Sequence, residues 1–224
     1  PGDFAELYRR LAKTDPEILS IHISSGLSGT LNAAQSGAEM SPEAHVTFYD
    51  TKTLSGAEGW HVEAAARAAQ AGWSMAQIIP LLEKITAATD TMFTVATLKY
   101  LIHGGRISHI KGLLGSVLGI KPIIGVEKER GTYSQLGQAR TMNLATLKIA
   151  DVMAGRYPAG TALRTQVMHA HNPEGAALLR QHVDERFQCT WLPTGPIAPV
   201  LGAHSGPGMI GLAYAPLADY PALP

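Results

Sequence analysis

The sequence is poor in cysteine, in net charge and in long apolar runs. Cys189 is its only cysteine, so no disulfide forms within the chain, and 18 basic residues balance 18 acidic ones. Balanced charge gives no reason to expect a nucleic-acid partner. The apolar stretches Leu113–Ile120 and Ile123–Val126 are broken by Lys121 and Pro122, and each is shorter than the about 20 residues that cross a bilayer. We therefore expect a cytoplasmic protein with no stable membrane insertion and no nucleic-acid partner.

Hydrophobic periodicity predicts strands that alternate with helices. Strand patterns at Ile18–Ile23 and His45–Tyr49 are followed by helical patterns at Thr30–Met40 and Trp60–Ala71. This alternation is typical of parallel sheets covered by helices on both faces. We predict an α/β fold of two α/β lobes, the first a doubly wound, mainly parallel sheet. A boundary at Thr89-Asp90 gives an N-terminal α/β lobe of residues 1–89 and a C-terminal α/β lobe of residues 90–224.

Three local patterns give finer predictions. Asp3 is placed to cap the first helix. Pro80 is expected to interrupt or bend a helix over Ser74–Ala88, because proline lacks the N–H that a helix interior requires. The apolar run Leu113–Leu118 is predicted to be helical.

The segment most informative about function joins the first strand to the next helix and reads S-S-G-L-S-G-T at residues 24–30. Its glycines allow a sharp turn, and the free N–H groups and macrodipole of a helix start favour a carboxylate or phosphate. An ordinary capped turn is the alternative, since serine and threonine also favour helix N-termini. Four hydroxyls exceed what one cap needs. We therefore predict an anion site that uses Ser24, Ser25, Gly26, Ser28, Gly29 and Thr30.

Two later glycine-rich segments also present polar side chains. Gly104 and Gly105 precede Arg106, whose guanidinium matches carboxylate or phosphate geometry, although a solvated surface arginine is an equal alternative. His204 and Ser205 lie in segment 202–211 and can hydrogen-bond a buried polar group. That segment fits G-x-G-x-x-G, but the helix, strand and acidic residue of a dinucleotide site do not follow, and no phosphate-loop pattern occurs. The nine histidines form no metal pattern, so we expect no metal and no cofactor.

Ser28 has an alternative reading as a catalytic nucleophile. A nucleophile elbow has glycine two residues to either side of the serine; Gly26 fits, whereas Thr30 occupies the other position. The base would be the distant His204, and no acidic residue that would orient it is identifiable. A serine-dependent acyl hydrolase or transferase is therefore the second hypothesis.

Taken together, the glycine-rich motifs resemble those of the DegV family of bacterial fatty-acid-binding proteins. The matching segments, in the family's order, read S-S-G-L-S-G-T at 24–30, G-G-R-I-S at 104–108, G-I-K-P-I-I at 119–124 and G-A-H-S-G-P-G at 202–208. Asp50-Thr51-Lys52 and Ser55-Gly56 resemble a further family segment, which more often has serine after the aspartate. The family's upstream strand, Asp-Ser loop and Thr-Ser-x-Pro segment have no counterpart, and that threonine helps to hold the ligand in the family.

The resemblance implies a long-chain fatty acid as the bound ligand and no catalytic role. By motif position, Ser28 with Ser25 and Thr30 would bind the carboxylate, and Arg106 and His204 would lie near it. The tail would be buried, for which apolar candidates are Leu113, Leu114, Val117, Leu118, Ile120 and Ile123. The resemblance further implies a carrier subunit that presents its fatty acid to a separate ATP-dependent fatty-acid kinase for phospholipid metabolism.

Overall fold

The computed structural model describes residues 1–109 and 119–224. The predicted helix Leu113–Leu118 lies outside the described residues. The elements of the first part of the chain are α1 (Gly2–Ala12), β1 (Glu17–His22), α2 (Thr30–Glu39), β2 (His45–Asp50), α3 (Ser55–Gln70) and α4 (Met75–Ala88).

The first sheet is a parallel pair of strands covered on both faces. β1 and β2 are in register from Glu17 opposite His45 to His22 opposite Asp50. Ile18 packs toward α1 and α2, whereas its neighbour Leu19 packs toward α3 and α4. Parallel strands buried on both faces are expected to be apolar at successive positions. For these two strands the predicted doubly wound parallel arrangement is confirmed.

The second sheet is mixed and contains the remaining described strands. Its elements are β3 (Asp90–Thr94), α5 (Lys99–His103), a 3₁₀ helix (Arg106–His109), β4 (Lys121–Val126), β5 (Tyr133–Ala139), α6 (Met142–Ala154), β6 (Ala162–His169), α7 (Pro173–Asp184), β7 (Gln188–Trp191), β8 (Gly195–Pro196), α8 (Pro199–Ser205) and β9 (Ile210–Pro216). The strand order is β5-β4-β3-β9-β6-β7, with β8 also paired to β6. β6 pairs in parallel with β7 and β8, and the other pairs are antiparallel. The predicted α/β class is confirmed.

The two faces of the second sheet have different roles. Met92 and Leu212 belong to a core shared with α6 and α7. Phe93 and Ala213, one residue farther along β3 and β9, point to the opposite face, where they pack with Trp60 of α3. That face therefore looks toward the first part of the chain. All described strands of this sheet follow Thr89, and the division into lobes at that residue stays a prediction.

Three sequence predictions need correction. α1 begins at Gly2, so Asp3 lies in its first turn and does not cap it. α3 begins at Ser55 rather than Trp60. Gly56 in its first turn packs so closely on β6 that a Cβ there would lie 2.6 Å from the Met168 sulfur. α4 continues through Pro80, so the predicted interruption there is wrong.

Candidate ligand-binding site

A cavity of about 140 Å³ lies between the first part of the chain and the inward face of the second sheet. Its walls come from the β1–α2 loop, the start of α3, strands β3, β5, β6 and β9, and helices α5 and α8. Most of the lining is apolar: Ile23, Leu27, Leu54, Phe93, Leu101, Met168, Ile197, Val200, Leu201, Met209 and Gly211. The polar lining residues are Ser28, Thr30, Ser55, Thr91, Arg106, Tyr133, His204 and Ser205. An apolar cavity with a few polar groups is the usual form of a small-molecule site.

The wall that comes from the first part of the chain has polar groups at Ser28 and Thr30. The Ser28 and Thr30 hydroxyl oxygens are 2.7 Å apart, and the Thr30 N–H donates to the Ser28 oxygen at 3.2 Å. Thr30 is the first residue of α2, so both hydroxyls lie where the helix dipole favours negative charge. The structure thus brings these two predicted site residues together.

The cavity lining does not include Ser24, Ser25, Gly26 or Gly29. The buried Ser24 hydroxyl donates to the Gly131 carbonyl oxygen at 2.7 Å. The Ser25 hydroxyl donates to Asp50 Oδ2 at 2.5 Å. Gly29 is the N-cap of α2. These residues shape the loop that carries Ser28, and direct contact with a ligand stays a prediction for them.

Asp50 anchors this loop electrostatically. Burial acts to raise the pKa of its carboxyl group, but hydrogen bonds from Ser25 and Lys52 outweigh burial and hold the pKa below its usual value. The Lys52 amino group lies 3.0 Å from Asp50 Oδ2. The carboxylate therefore stays ionised at neutral pH and keeps the loop attached to the end of β2.

Arg106, His204 and Ser205 form the polar part of the opposite wall. Arg106 Nη1 donates to the Gly104 carbonyl oxygen at 2.6 Å. His204 packs so closely on Gly104 that a Cβ there would lie 2.2 Å from His204 Nδ1. Gly104 therefore allows His204 to lie close to the segment that carries Arg106.

His204 and Ser205 are suited to bind a polar ligand group. Burial and the neighbouring charge of Arg106 lower the pKa of His204, so its imidazole is neutral at pH 7. Within the described residues, His204 Nδ1 and the Ser205 hydroxyl are buried without a hydrogen-bond partner. Buried polar atoms normally have partners, and exceptions often mark functional positions.

Sequence reasoning missed three polar lining residues: Ser55, Thr91 and Tyr133. Ser55 has φ of 59°, a backbone conformation uncommon outside glycine, at the start of α3. Burial raises the pKa of Tyr133 to about 12, with an opposing effect from Arg106. The only available signal was the Ser55-Gly56 segment, because Thr91 and Tyr133 lie in strands without a motif.

Of the six predicted tail contacts, Ile120 and Ile123 lie in the described part of the chain. Ile123 is fully buried in the core beneath α6, away from the cavity lining. Ile120 packs against the apolar cluster that contains Leu27 and Phe93. Leu113, Leu114, Val117 and Leu118 lie outside the described residues.

Features of a catalytic serine, a metal site or a membrane-spanning helix are fewer in the described part of the chain. Ser28 and His204 line one cavity, but no hydrogen bond joins them among the described residues; the Ser28 hydroxyl is paired with Thr30. Residues 1–109 and 119–224 contain no group of three or more His, Cys, Asp or Glu placed to hold a metal ion. No helix within those residues has the length and apolar character to cross a membrane.

Comparison with known proteins identifies the relatives of this chain. A family model described as an uncharacterised protein family, DegV, matches residues 1–217. A DegV domain-containing protein of Deinococcus radiodurans is 37% identical over 200 residues, which span 89% of this chain and 69% of that protein.

Solved structures show the same fold. A DegV family protein of Thermus thermophilus, described by its fatty acid binding, superposes with a TM-score of 0.81 at 29% identity. The superposition covers 96% of this chain and 76% of the Thermus thermophilus chain. DegV of Bacillus subtilis, described as a fatty acid binding protein, gives a TM-score of 0.81 at 27% identity, with the same coverage.

Proposed function

The chain belongs to the DegV family, and from that premise we propose that it binds a long-chain fatty acid in the cavity between Ser28 and His204. The carboxylate would lie among Ser28, Thr30, Arg106, His204 and Ser205, with the tail along the apolar walls. The convergence of hydroxyls and a guanidinium at one otherwise apolar cavity carries the proposal.

Head and tail make different contributions. A carboxylate bound by a guanidinium and hydroxyls forms charge-assisted hydrogen bonds, and these fix its position. Each buried methylene contributes about 0.8 kcal/mol, so a long tail supplies most of the affinity. A neutral His204 beside Arg106 adds a polar contact without a second positive charge to be desolvated.

The direct test compares the purified protein with two variants. Native mass spectrometry and lipid extraction of the wild type should show one bound fatty acid per chain. We expect Ser28→Ala and Arg106→Gln each to weaken hexadecanoic acid binding by about 10- to 100-fold, the effect of losing a hydrogen bond to a charged group. Ser36→Ala, an exposed serine on α2, is the matched control and should bind normally. A wild-type protein that neither contains nor takes up fatty acid contradicts the proposal.

The proposed role is that of a cytoplasmic, non-catalytic carrier that presents its fatty acid to a separate fatty-acid kinase. Support comes from the family resemblance and from the lack of a phosphate-loop pattern in the sequence. The loaded protein, ATP and Mg²⁺ should yield no acyl phosphate alone and should yield it when a bacterial fatty-acid kinase is added. Acyl phosphate formed without added kinase would overturn this division of roles.

The serine-dependent alternative is tested on the same protein. Ser28 and His204 line one cavity, which is the observation in its favour. If a nitrophenyl ester is hydrolysed and Ser28→Ala abolishes the turnover, an acyl hydrolase or transferase replaces the carrier. We expect no turnover that depends on Ser28.

A further inference from the structure

We propose that the turn between β4 and β5, residues 127–132, positions the Ser28 loop for head-group binding, with Gly131 as the positioning residue. This inference rests on the proposed fatty-acid site and deepens it. The polar groups of that site come from two parts of the chain: Ser28 and Thr30 precede Asp90, whereas Arg106 and His204 follow it. Their separation therefore depends on what holds the two parts together near the loop.

One contact near the Ser28 loop joins the two parts of the chain directly. The Ser24 hydroxyl, on a residue with 0% exposure, donates to the Gly131 carbonyl oxygen at 2.7 Å. Within residues 1–109 and 119–224 this is the one hydrogen bond between loop 24–29 and anything after Asp90. The Ser24 carbonyl oxygen in turn accepts from the Ser28 N–H at 3.1 Å. The β4–β5 turn is thus linked to Ser28 through one intervening residue, Ser24.

Backbone packing at this contact leaves no room for a side chain. A Cβ at Gly131 would lie 2.0 Å from the Ser24 hydroxyl oxygen, and one at Gly26 would lie 2.3 Å from the Arg130 carbonyl oxygen. Gly131 also has φ of 64°, which favours glycine. A larger residue at position 131 must move the loop or the turn.

The turn is held in shape by hydrogen bonds among its own residues. Glu127 accepts hydrogen bonds at 3.0 Å from the N–H groups of Glu129 and Arg130 and from the Thr132 hydroxyl. The Gly131 N–H donates to the Glu127 carbonyl oxygen at 3.0 Å. Tyr133, which follows the turn, lines the cavity. The same turn is therefore tied to both walls of the site.

The experiment measures dissociation constants for hexadecanoic acid and for hexadecanol, which has the same chain without the carboxylate. Gly131→Ala tests the close packing, and Ser24→Ala removes only the hydroxyl. Gly160→Ala is the control: its φ of 80° is equally unfavourable to alanine, but a Cβ there meets nothing within 4 Å. We expect Gly131→Ala and Ser24→Ala to weaken acid binding by about tenfold and Gly160→Ala by less than about twofold. Hexadecanol binding should be unchanged in all three.

A double-mutant cycle separates positioning from general loosening. If the turn acts through Ser28, then Ser24→Ala should have no further effect on acid binding in a Ser28→Ala background. Unchanged acid binding by Ser24→Ala, or equal losses for acid and alcohol, would overturn the inference while the fatty-acid site stands. Ser24→Ala decides the matter if Gly131→Ala does not fold. A wild type that binds neither ligand defeats the fatty-acid proposal itself, which is a distinguishable result.

Discussion

Octanoic acid is expected to bind this protein about ten-thousandfold more weakly than hexadecanoic acid. The two acids share a head group and differ by eight methylenes, each worth about 0.8 kcal/mol when buried, which gives about 6 kcal/mol in total. The physical basis is the apolar wall formed by residues such as Leu27, Phe93 and Met168. Competition against a fluorescent fatty acid, with unbranched acids of increasing length, measures the slope of affinity with chain length.

The way affinity changes with each added carbon shows more than the comparison of octanoic acid with hexadecanoic acid alone. A constant decrement per methylene means that each added carbon is fully enclosed, whereas a plateau marks the length at which the tail reaches solvent or the cavity end. Val200 lines the cavity but is 65% exposed, so α8 forms part of an open wall. Octanoic acid within about tenfold of hexadecanoic acid would mean that most of the tail beyond the eighth carbon lies outside the cavity, because so small a difference corresponds to burial of fewer than about two of the eight added methylenes.

The head group should contribute less than the tail to the binding free energy. A carboxylate loses its water shell on binding, and its new hydrogen bonds largely replace the ones it lost. Hexadecanol should therefore bind more weakly than hexadecanoic acid by no more than about a hundredfold. The length series and the head-group comparison test separate parts of the proposed site.

The fold was predictable where local pattern and tertiary structure agree. β1 is apolar at Ile18, Leu19 and Ile21 because both faces of the first sheet are covered, and such a run indicates a buried parallel strand. The start of α3 was not predictable. Ser55, Gly56 and Gly59 are poor helix formers, and the first turn is stabilised by packing on Met168, which lies more than a hundred residues farther along the chain.

The candidate site also contains residues that the sequence predicts and residues that it does not. Ser28, Thr30, Arg106 and His204 lie in or next to glycine-rich segments, where backbone freedom and polar side chains leave a signature in the sequence. Thr91 and Tyr133 lie in strands, where their residue types are ordinary, and only the pairing of β3 with β4 and of β4 with β5 brings them to the cavity. The role of Gly131 is hidden for the same reason, since its neighbour Ser24 is distant in sequence.

Replacing Glu58 with glutamine is expected to stabilise the protein at pH 8 and to reveal a dependence on pH that the wild type conceals. Glu58 lies on α3, where the backbone N–H groups of Ile23 and Ser55 act to lower its pKa, but burial outweighs them and raises the pKa from 4.5 to about 7. The folded state therefore binds more protons than the unfolded state between these values, and stability falls as pH rises from 4.5 to 7. The full cost above pH 7 is at most about 3 kcal/mol.

His61, one turn farther along α3, acts in the opposite direction. Its ring nitrogens lie 2.8 Å from the Ala57 carbonyl oxygen and 2.9 Å from the Thr86 hydroxyl, and burial lowers its pKa from 6.5 to about 4. Here the unfolded state binds more protons, so stability falls as pH drops from 6.5 to 4. The two effects are similar in size and overlap between pH 4.5 and 6.5, so the wild type should change little across that range.

Urea unfolding from pH 4 to pH 8 tests both effects at once. Glu58→Gln should match the wild type near pH 4.5, where Glu58 is protonated, and should exceed it by at most about 3 kcal/mol at pH 8. With Glu58 removed, the effect of His61 is no longer offset, so the variant should gain stability steadily from pH 4 to 6.5. Glu83→Gln, which removes an exposed carboxylate from α4, is the control and should follow the wild-type curve. A Glu58→Gln curve parallel to that of the wild type would show that this carboxyl group titrates alike in the folded and unfolded states.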